Sequence, residues 1–158
     1  MRFKRPRFIL LYLLVWVLTS SVLTGQAPAI LDVNQKGILL GMYFSILEDR
    51  DGTLTVEEVS SPEEEHRFQP NTTPVPNFGN TTSAYWVRFT LQVTSIPKED
   101  QPQYLLILEY PHFNSIELFI PDSSGKILTL RAGRHIKTPR RMVNPNFTFL
   151  LPKLTPGE

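Results

Sequence analysis

The clearest pattern along the chain is an alternation of side chains over residues 85–93, which predicts a β-strand. A segment rich in proline, asparagine and glycine, residues 74–79, precedes this strand and predicts a turn. One side of the strand is apolar throughout and is expected to face a core: Tyr85, Val87, Phe89, Leu91 and Val93. The opposite side carries Trp86 and Arg88, which are therefore expected to point away from that core.

Trp86 and Arg88 have two interpretations. An indole ring beside a guanidinium on an exposed face can stack on a sugar ring or hold an anion. Alternatively, a loop covers Trp86, and Arg88 forms an ion pair with an acidic side chain. The alternation is compatible with both arrangements.

Further strands follow from similar patterns. Residues 31–47 favour strand over helix, because a glycine weakens a helix there and the aromatic residues after it favour a sheet. Residues 103–110 are apolar on both faces, as in a strand in the middle of a sandwich. Residues 115–120 and 127–131 predict a hairpin, and a last short strand follows at residues 147–151. The predicted fold is an all-β antiparallel sandwich with one or two short helices.

An acidic segment, residues 48–53, imitates a calcium-binding loop of the EF-hand type, with Gly52 at the sixth position. The first position of such a loop would be Leu47, which has no oxygen ligand. The preferred interpretation is a polar turn that leads into a short helix, with Thr55 or Thr53 as the N-cap.

Composition limits the function. The 158 residues suffice for one domain with a sizeable core, and a net charge of +1 argues against a nucleic-acid-binding surface. There is no cysteine, which excludes disulfides and thiolate metal sites. The three histidines are scattered, and neither a nucleophile elbow nor a phosphate-binding glycine loop is present. The sequence therefore predicts no catalytic activity, no cofactor and no metal.

Residues 1–29 have the features of a secretory signal. Basic residues precede a continuous apolar run, residues 8–18, which is short for a membrane span. An Ala-Pro-Ala sequence at residues 27–29 fits a small-x-small cleavage pattern, and an uncleaved anchor is the alternative because Pro28 lies within it. Cleavage after Ala29 would leave 12 basic and 15 acidic residues, a net charge of −3. The chain is predicted to be exported.

A basic segment occupies residues 131–141, with Arg131, Arg134, Lys137, Arg140 and Arg141. Such a loop can contact an acidic ligand, a partner domain or lipid head groups. The default interpretation is a solvated loop.

Several stretches together resemble one family. They are residues 43–59 (YFSILEDRDGTLTVEEV), the Phe78-Gly79 turn, the strand through Trp86 and Arg88, and residues 105–120 (LLILEYPHFNSIELFI). From Leu31 to the C-terminus, the chain resembles the second type of extracellular domain of bacterial seven-transmembrane receptors with diverse intracellular signalling modules (7TMR-DISM). The resemblance implies a periplasmic β-sandwich of jelly-roll type that binds carbohydrate or related ligands. It also implies signalling through seven membrane helices to a cytoplasmic output, such as a diguanylate cyclase or a histidine kinase.

Residues 30–158 are therefore expected to form a periplasmic sensory domain for a small-molecule or carbohydrate ligand. The expected binding residues, chosen from the face assignments, are Trp86 and Tyr110 for stacking, Arg88 and Arg140 for hydroxyls or an anion, and His112 for a hydrogen bond. The alternative is an interaction module without a small ligand. It would dock onto a receptor subunit or a membrane domain through Trp86, Phe119 and the basic segment.

The receptors of this family continue into seven membrane helices, whereas this chain ends at Glu158. A truncated form or a fragment of a receptor is therefore a further expectation. A sandwich without its last strand would expose an unpaired edge. None of these interpretations includes a nucleic-acid partner.

Overall fold

The computed structural model describes residues 26–32, 35–94, 102–110, 112–122, 124–134 and 146–154. In these ranges the chain forms short strands, one helical turn and two 3-10 turns. The strands are β1 (Ala29–Leu31), β2 (Ser45–Asp49), β3 (Gln69–Pro70), β4 (Ala84–Arg88), β5 (Leu91–Val93), β6 (Leu105–Leu108), β7 (Ile116–Pro121), β8 (Ile127–Ala132) and β9 (Phe147–Leu150). Helix α1 spans Val56–Val59, and the 3-10 turns span Gly41–Tyr43 and Glu65–Arg67.

The described strands pair as one three-stranded sheet and three two-stranded sheets. Strand β2 lies between β3 and β4 and is antiparallel to both. Strands β6 and β9, and strands β7 and β8, are also antiparallel, whereas β1 pairs with β5 in parallel. The predicted all-β sandwich, built largely of antiparallel sheets, is confirmed.

A core lies on one face of the three-stranded sheet. Leu47 of β2 is 2% exposed and forms a cluster with Val59 of α1 and with Phe68. Trp86 of β4 is opposite Leu47 and packs against the same cluster. Its ring also stacks on Phe119 of β7, with 5.8 Å between the ring centroids. The Trp86–Phe119 contact therefore joins the three-stranded sheet to the β7-β8 hairpin.

The acidic segment after β2 is a turn whose charge is held by the backbone. The carboxylate of Asp49 accepts hydrogen bonds from the backbone N–H groups of residues 52–54, at 3.0 to 3.3 Å. Thr55 then caps α1, because its hydroxyl accepts a hydrogen bond from the N–H of Glu58 and its own N–H donates to the Glu58 carboxylate. The predicted polar turn into a short helix capped by Thr55 is confirmed.

The predicted hairpin between β7 and β8 is also confirmed. In its turn, Oδ1 of Asp122 accepts hydrogen bonds from the backbone N–H groups of Ser124 and Lys126. Gly125 adopts a φ of 82°, which a residue without a side chain reaches most easily. The turn residues of the sequence therefore locate this connection correctly.

Strand β6 differs in part from its prediction, which placed it in the middle of a sandwich. In the described part of the chain it pairs only with β9. Leu105, Ile107 and Leu150, which share one face of this pair, are about half exposed, whereas Phe149 on the other face is buried. The apolar pattern therefore identified the strand, but the described residues cover only one of its faces.

Two predictions lie largely outside the described residues. The signal assigned to residues 1–29 falls mostly in residues 1–25, and much of the basic segment falls in residues 135–145, which include Arg140. Both stay predictions. Within the described ranges, no helix has the length and apolar character needed to span a bilayer.

The Asp49→Asn substitution tests the turn after β2. Burial by itself would raise the pKa of Asp49, but the hydrogen bonds from residues 52–54 outweigh it and hold the pKa below the ordinary value of 3.8. Because an amide offers only one acceptor oxygen to these donors, we expect the free energy of unfolding to fall by about 1–3 kcal/mol. Urea denaturation at pH 7 measures this loss.

The pH dependence of the two proteins provides a control. Since the folded-state pKa of Asp49 is lowered, its carboxylate stabilises the native state fully above pH 3.8 and loses this effect as the pH falls through the folded-state pKa. The wild-type protein should therefore lose more stability than Asp49→Asn below about pH 4. Equal stabilities at pH 7 would contradict the role given to Asp49.

Candidate functional site

Trp86 and Arg88 lie on the buried face of the three-stranded sheet, not on the exposed face that the sequence predicted. The strand register places Trp86 opposite Leu47 and Arg88 opposite Ser45, and both partners are buried. Because paired residues point to the same side of a sheet, Trp86 and Arg88 point toward the core. The predicted orientation of this side of β4 is wrong.

Arg88 is engaged in an ion pair. Its two Nη atoms donate hydrogen bonds to the two carboxylate oxygens of Glu65 at 2.6 and 2.7 Å, and its central carbon lies 4.2 Å from the ring centroid of Phe68. The hydrogen bonds from Arg88 keep the pKa of Glu65 below its ordinary value. The structure therefore matches the alternative interpretation, in which Trp86 is covered and Arg88 pairs with an acid.

The alternation misled because both sides of β4 carry large apolar or aromatic groups. Tyr85 is half-buried and Val87 is exposed, although both belong to the side predicted to face the core. Trp86 has the largest ring in this strand, and burying it removes more apolar surface from water. In β5 the prediction is correct, since Val93 is buried. The orientation changes at residues 89–90, where the strand is interrupted.

Tyr110 and His112 form a second group of contacts. Their rings meet edge to face with 5.5 Å between the centroids, and Tyr110 meets Phe113 in the same manner at 5.1 Å. The four described residues of the predicted binding set are thus divided between this group and the core side of β4. The fifth, Arg140, lies outside the described residues.

On the opposite face of the three-stranded sheet, the described residues form an open cleft of about 550 Å³, within the usual size of ligand sites. Its floor includes Ile46 and Glu48 of β2 and Tyr85 of β4, which is paired with Glu48. Phe78 lines the cleft on the β4 side. Its other lining residues include Arg50 at the end of β2, and Arg67 and Gln69 on the β3 side.

Glu48 organises the polar part of this cleft. Its carboxylate accepts hydrogen bonds from the hydroxyl groups of Ser83 at 2.7 Å and Tyr85 at 3.4 Å, and it lies 3.6 Å from Nε of Arg50. The hydrogen bond from Ser83 is the main cause that lowers the pKa of Glu48, and the charge of Arg50 adds to it. Glu48 is therefore ionised at neutral pH and links three neighbouring side chains.

An aromatic pair forms the apolar part of the cleft. Phe78 stacks on Tyr85 with 4.0 Å between ring centroids and 19° between ring planes. The preceding turn positions Phe78: the side chain of Asn77 accepts a hydrogen bond from the N–H of Gly79, which has a φ of 65°. Because each ring covers one face of the other, the apolar surface left for a ligand beside the Glu48 carboxylate is the outer side of this stack.

The β3 side of the cleft depends on the ion pair beneath the sheet. Glu65 and Arg67 belong to the same 3-10 turn, so the Arg88–Glu65 pair fixes the turn that carries Arg67. One Nη atom of Arg67 is also bonded to Glu64. The side chain of Arg67 is therefore held by Glu64, and its backbone belongs to a turn that Arg88 attaches to β4.

This combination fits the recognition of a polyhydroxylated ligand. Aromatic rings can stack on the apolar face of a sugar ring, while carboxylate, guanidinium and amide groups hydrogen-bond its hydroxyls. Within the described ranges, no group of three or more acidic and histidine side chains is placed to hold a metal ion.

This cleft was not predicted from the sequence, although the sequence contains two signals for it. Ile46, Glu48 and Arg50 alternate along β2 and therefore share a side. The Phe78-Gly79 turn directly precedes the strand that contains Tyr85. The assumption that Tyr85 faces the core prevented the two signals from being combined.

Comparison with known proteins identifies one family. A family model described as 7TMR-DISM extracellular 2 matches residues 41–158, which include the whole three-stranded sheet and every cleft residue described above. Among curated proteins and among solved structures, none matches the chain significantly.

The Trp86→Ala substitution distinguishes a core residue from a binding residue. Because it removes the contacts with the Leu47 cluster and with Phe119, we expect the free energy of unfolding to fall by about 3 kcal/mol, measured by urea denaturation. Tyr110→Ala, which removes an exposed ring, is the matched control and should change stability by less than about 1 kcal/mol. Wild-type stability of Trp86→Ala would show that this ring is not part of the core.

Proposed function

The chain belongs to the 7TMR-DISM extracellular 2 family, and on this basis we propose that it is a periplasmic saccharide-binding domain. Membership in a family of receptor extracellular domains supports an extracellular sensory role and an exported location. The ligand class and the binding site are the proposed part. The domain would act within a bacterial transmembrane receptor, by recognition without catalysis.

The observation that carries this proposal is the stacked Phe78–Tyr85 pair beside the Glu48 network. The rings supply a flat apolar surface, and Glu48 is held by Ser83, Tyr85 and Arg50 before any ligand arrives. Side chains that are already ordered lose less conformational entropy on binding. A cleft of about 550 Å³ has room for a small saccharide.

The structure makes the alternative interaction surface, which includes Trp86 and Phe119, less favourable. It required Trp86 and Phe119 to be exposed together on an outer face, but the two rings stack on each other between the sheets. Trp86 also packs against the Leu47 cluster, so these two rings offer a partner less surface than the sequence predicted. We therefore place the recognition surface on the opposite face of β2 and β4.

Binding measurements on cleft variants test the proposal. Against a panel of mono- and oligosaccharides, the purified protein should show a concentration-dependent rise in Tm for at least one ligand. Tyr85→Ala and Glu48→Gln should each weaken its affinity about tenfold in isothermal titration calorimetry, because one removes the stacking surface and the other the organising charge. The matched charge control is Glu109→Gln, which changes an exposed glutamate that follows β6 and does not line the cleft.

The position of the site is tested by a further variant. If saccharide affinity is retained in Tyr85→Ala and lost in Tyr110→Ala, the ligand binds at the Tyr110–His112 group and the proposed cleft is wrong. If no saccharide in the panel shifts the Tm of a cooperatively folded protein, the proposed ligand class is wrong.

A further inference from the structure

The charged groups that line the cleft differ in how many contacts they make with other side chains. They are Glu48, Arg50 and Arg67. Glu48 is already bound by two hydroxyl groups and faces Nε of Arg50. Arg67 is paired with Glu64 and Arg50 faces Glu48, so each guanidinium group has an acidic neighbour. Arg50 has the longer contact and the more exposed side chain, so it is the group most able to bind an anion.

Arg50 has the free edge that an anion would use. Its closest acidic contact is through Nε, 3.6 Å from Glu48, and its side chain is 83% exposed. Among the described residues, no hydrogen bond is made by its two Nη atoms. These two atoms form the end of a planar fork that binds a carboxylate through two parallel hydrogen bonds. Arg50 therefore presents an unoccupied carboxylate-binding edge to the cleft.

The carboxylate of Glu48 lies on the Nε side of the Arg50 guanidinium. The carboxylate is itself fixed by Ser83 at 2.7 Å and by the ring of Tyr85, which stacks on Phe78. Because this contact is made through Nε, the end of the guanidinium that carries the two Nη atoms is left for a ligand carboxylate. A ligand ring stacked on the aromatic pair would therefore carry its charged substituent on the Arg50 side of the cleft.

Arg67 adds a second positive group on the β3 side. Its contact with Glu64 uses one Nη atom, and its turn is fixed by the Arg88–Glu65 pair. Because Arg67 and Arg50 both line the cleft, a ligand with more than one charged sugar residue could contact both guanidinium groups.

We infer that the ligand is an acidic saccharide, a uronic acid or an oligosaccharide that contains one, and that Arg50 determines this specificity by binding the ligand carboxylate. This inference rests on the proposed saccharide-binding function and adds the chemical class of the ligand. The binding mode is non-covalent, with the sugar ring against the Phe78–Tyr85 pair and its carboxylate on the Nη edge of Arg50.

Matched pairs of ligands test the inference directly. Isothermal titration calorimetry on the full chain would compare oligomers of galacturonate, glucuronate and mannuronate with their methyl esters, which keep the skeleton but lose the charge, and with neutral oligosaccharides. We expect at least one acid to bind about tenfold more tightly than its ester, with an affinity that falls from 50 to 500 mM NaCl. Arg50→Gln should abolish most of this difference.

The control is Arg134→Gln, which removes an exposed arginine outside the cleft and should keep the preference for the acid. Because the exposed Arg50–Glu48 pair contributes little to stability, Arg50→Gln should unfold at nearly the wild-type Tm. Equal binding of acids and esters, or an acid preference that survives in Arg50→Gln, overturns the inference and leaves the proposed function standing. If neither acidic nor neutral saccharides bind, both fail.

Discussion

The ion pair between Arg88 and Glu65, stacked on Phe68, connects the two faces of the three-stranded sheet. It lies on the core side, yet Glu65 shares a 3-10 turn with Arg67, which lines the cleft on the other side. Both partners are about 40% exposed, so the pair adds little to the free energy of folding. Its importance is geometric, because the two parallel hydrogen bonds tie the turn to β4, in addition to the backbone hydrogen bonds of the turn and the buried Phe68 that follows it.

The two faces of β2 and β4 differ in burial: one packs in the core, and the other lines the cleft. Trp86 and Leu47 are covered by α1, by Phe68 and by the neighbouring hairpin, and this contact fixes the strands. The side chains on the other face can then be polar without loss of stability. A recognition surface built on strands that are anchored from behind needs little rearrangement to bind.

Features that depend on adjacent residues could be predicted from the sequence. These include the strands themselves, the hairpin turn and the helix capped by Thr55. Which side of β4 packs in the core could not be predicted, because Tyr85 and Trp86 are both large aromatic residues. Their orientation depends on the pairing of Trp86 with Leu47, a residue of another strand. The cleft likewise depends on contacts between distant segments, such as Ser83 with Glu48. An alternation with a period of two within one strand does not show which distant residues the strand will contact.

Strand β1 cannot take its native place until residues 91–93 have been synthesised and, in an exported chain, have crossed the membrane. It pairs in parallel with β5, about 60 residues later, and pairings of such high contact order form slowly. Until then the backbone and side chain of Ala29, which is fully buried in the native state, remain accessible. The first strand of the domain therefore finds its partner only after every strand of the three-stranded sheet has been made, because β2, β3 and β4 all precede β5 in the chain.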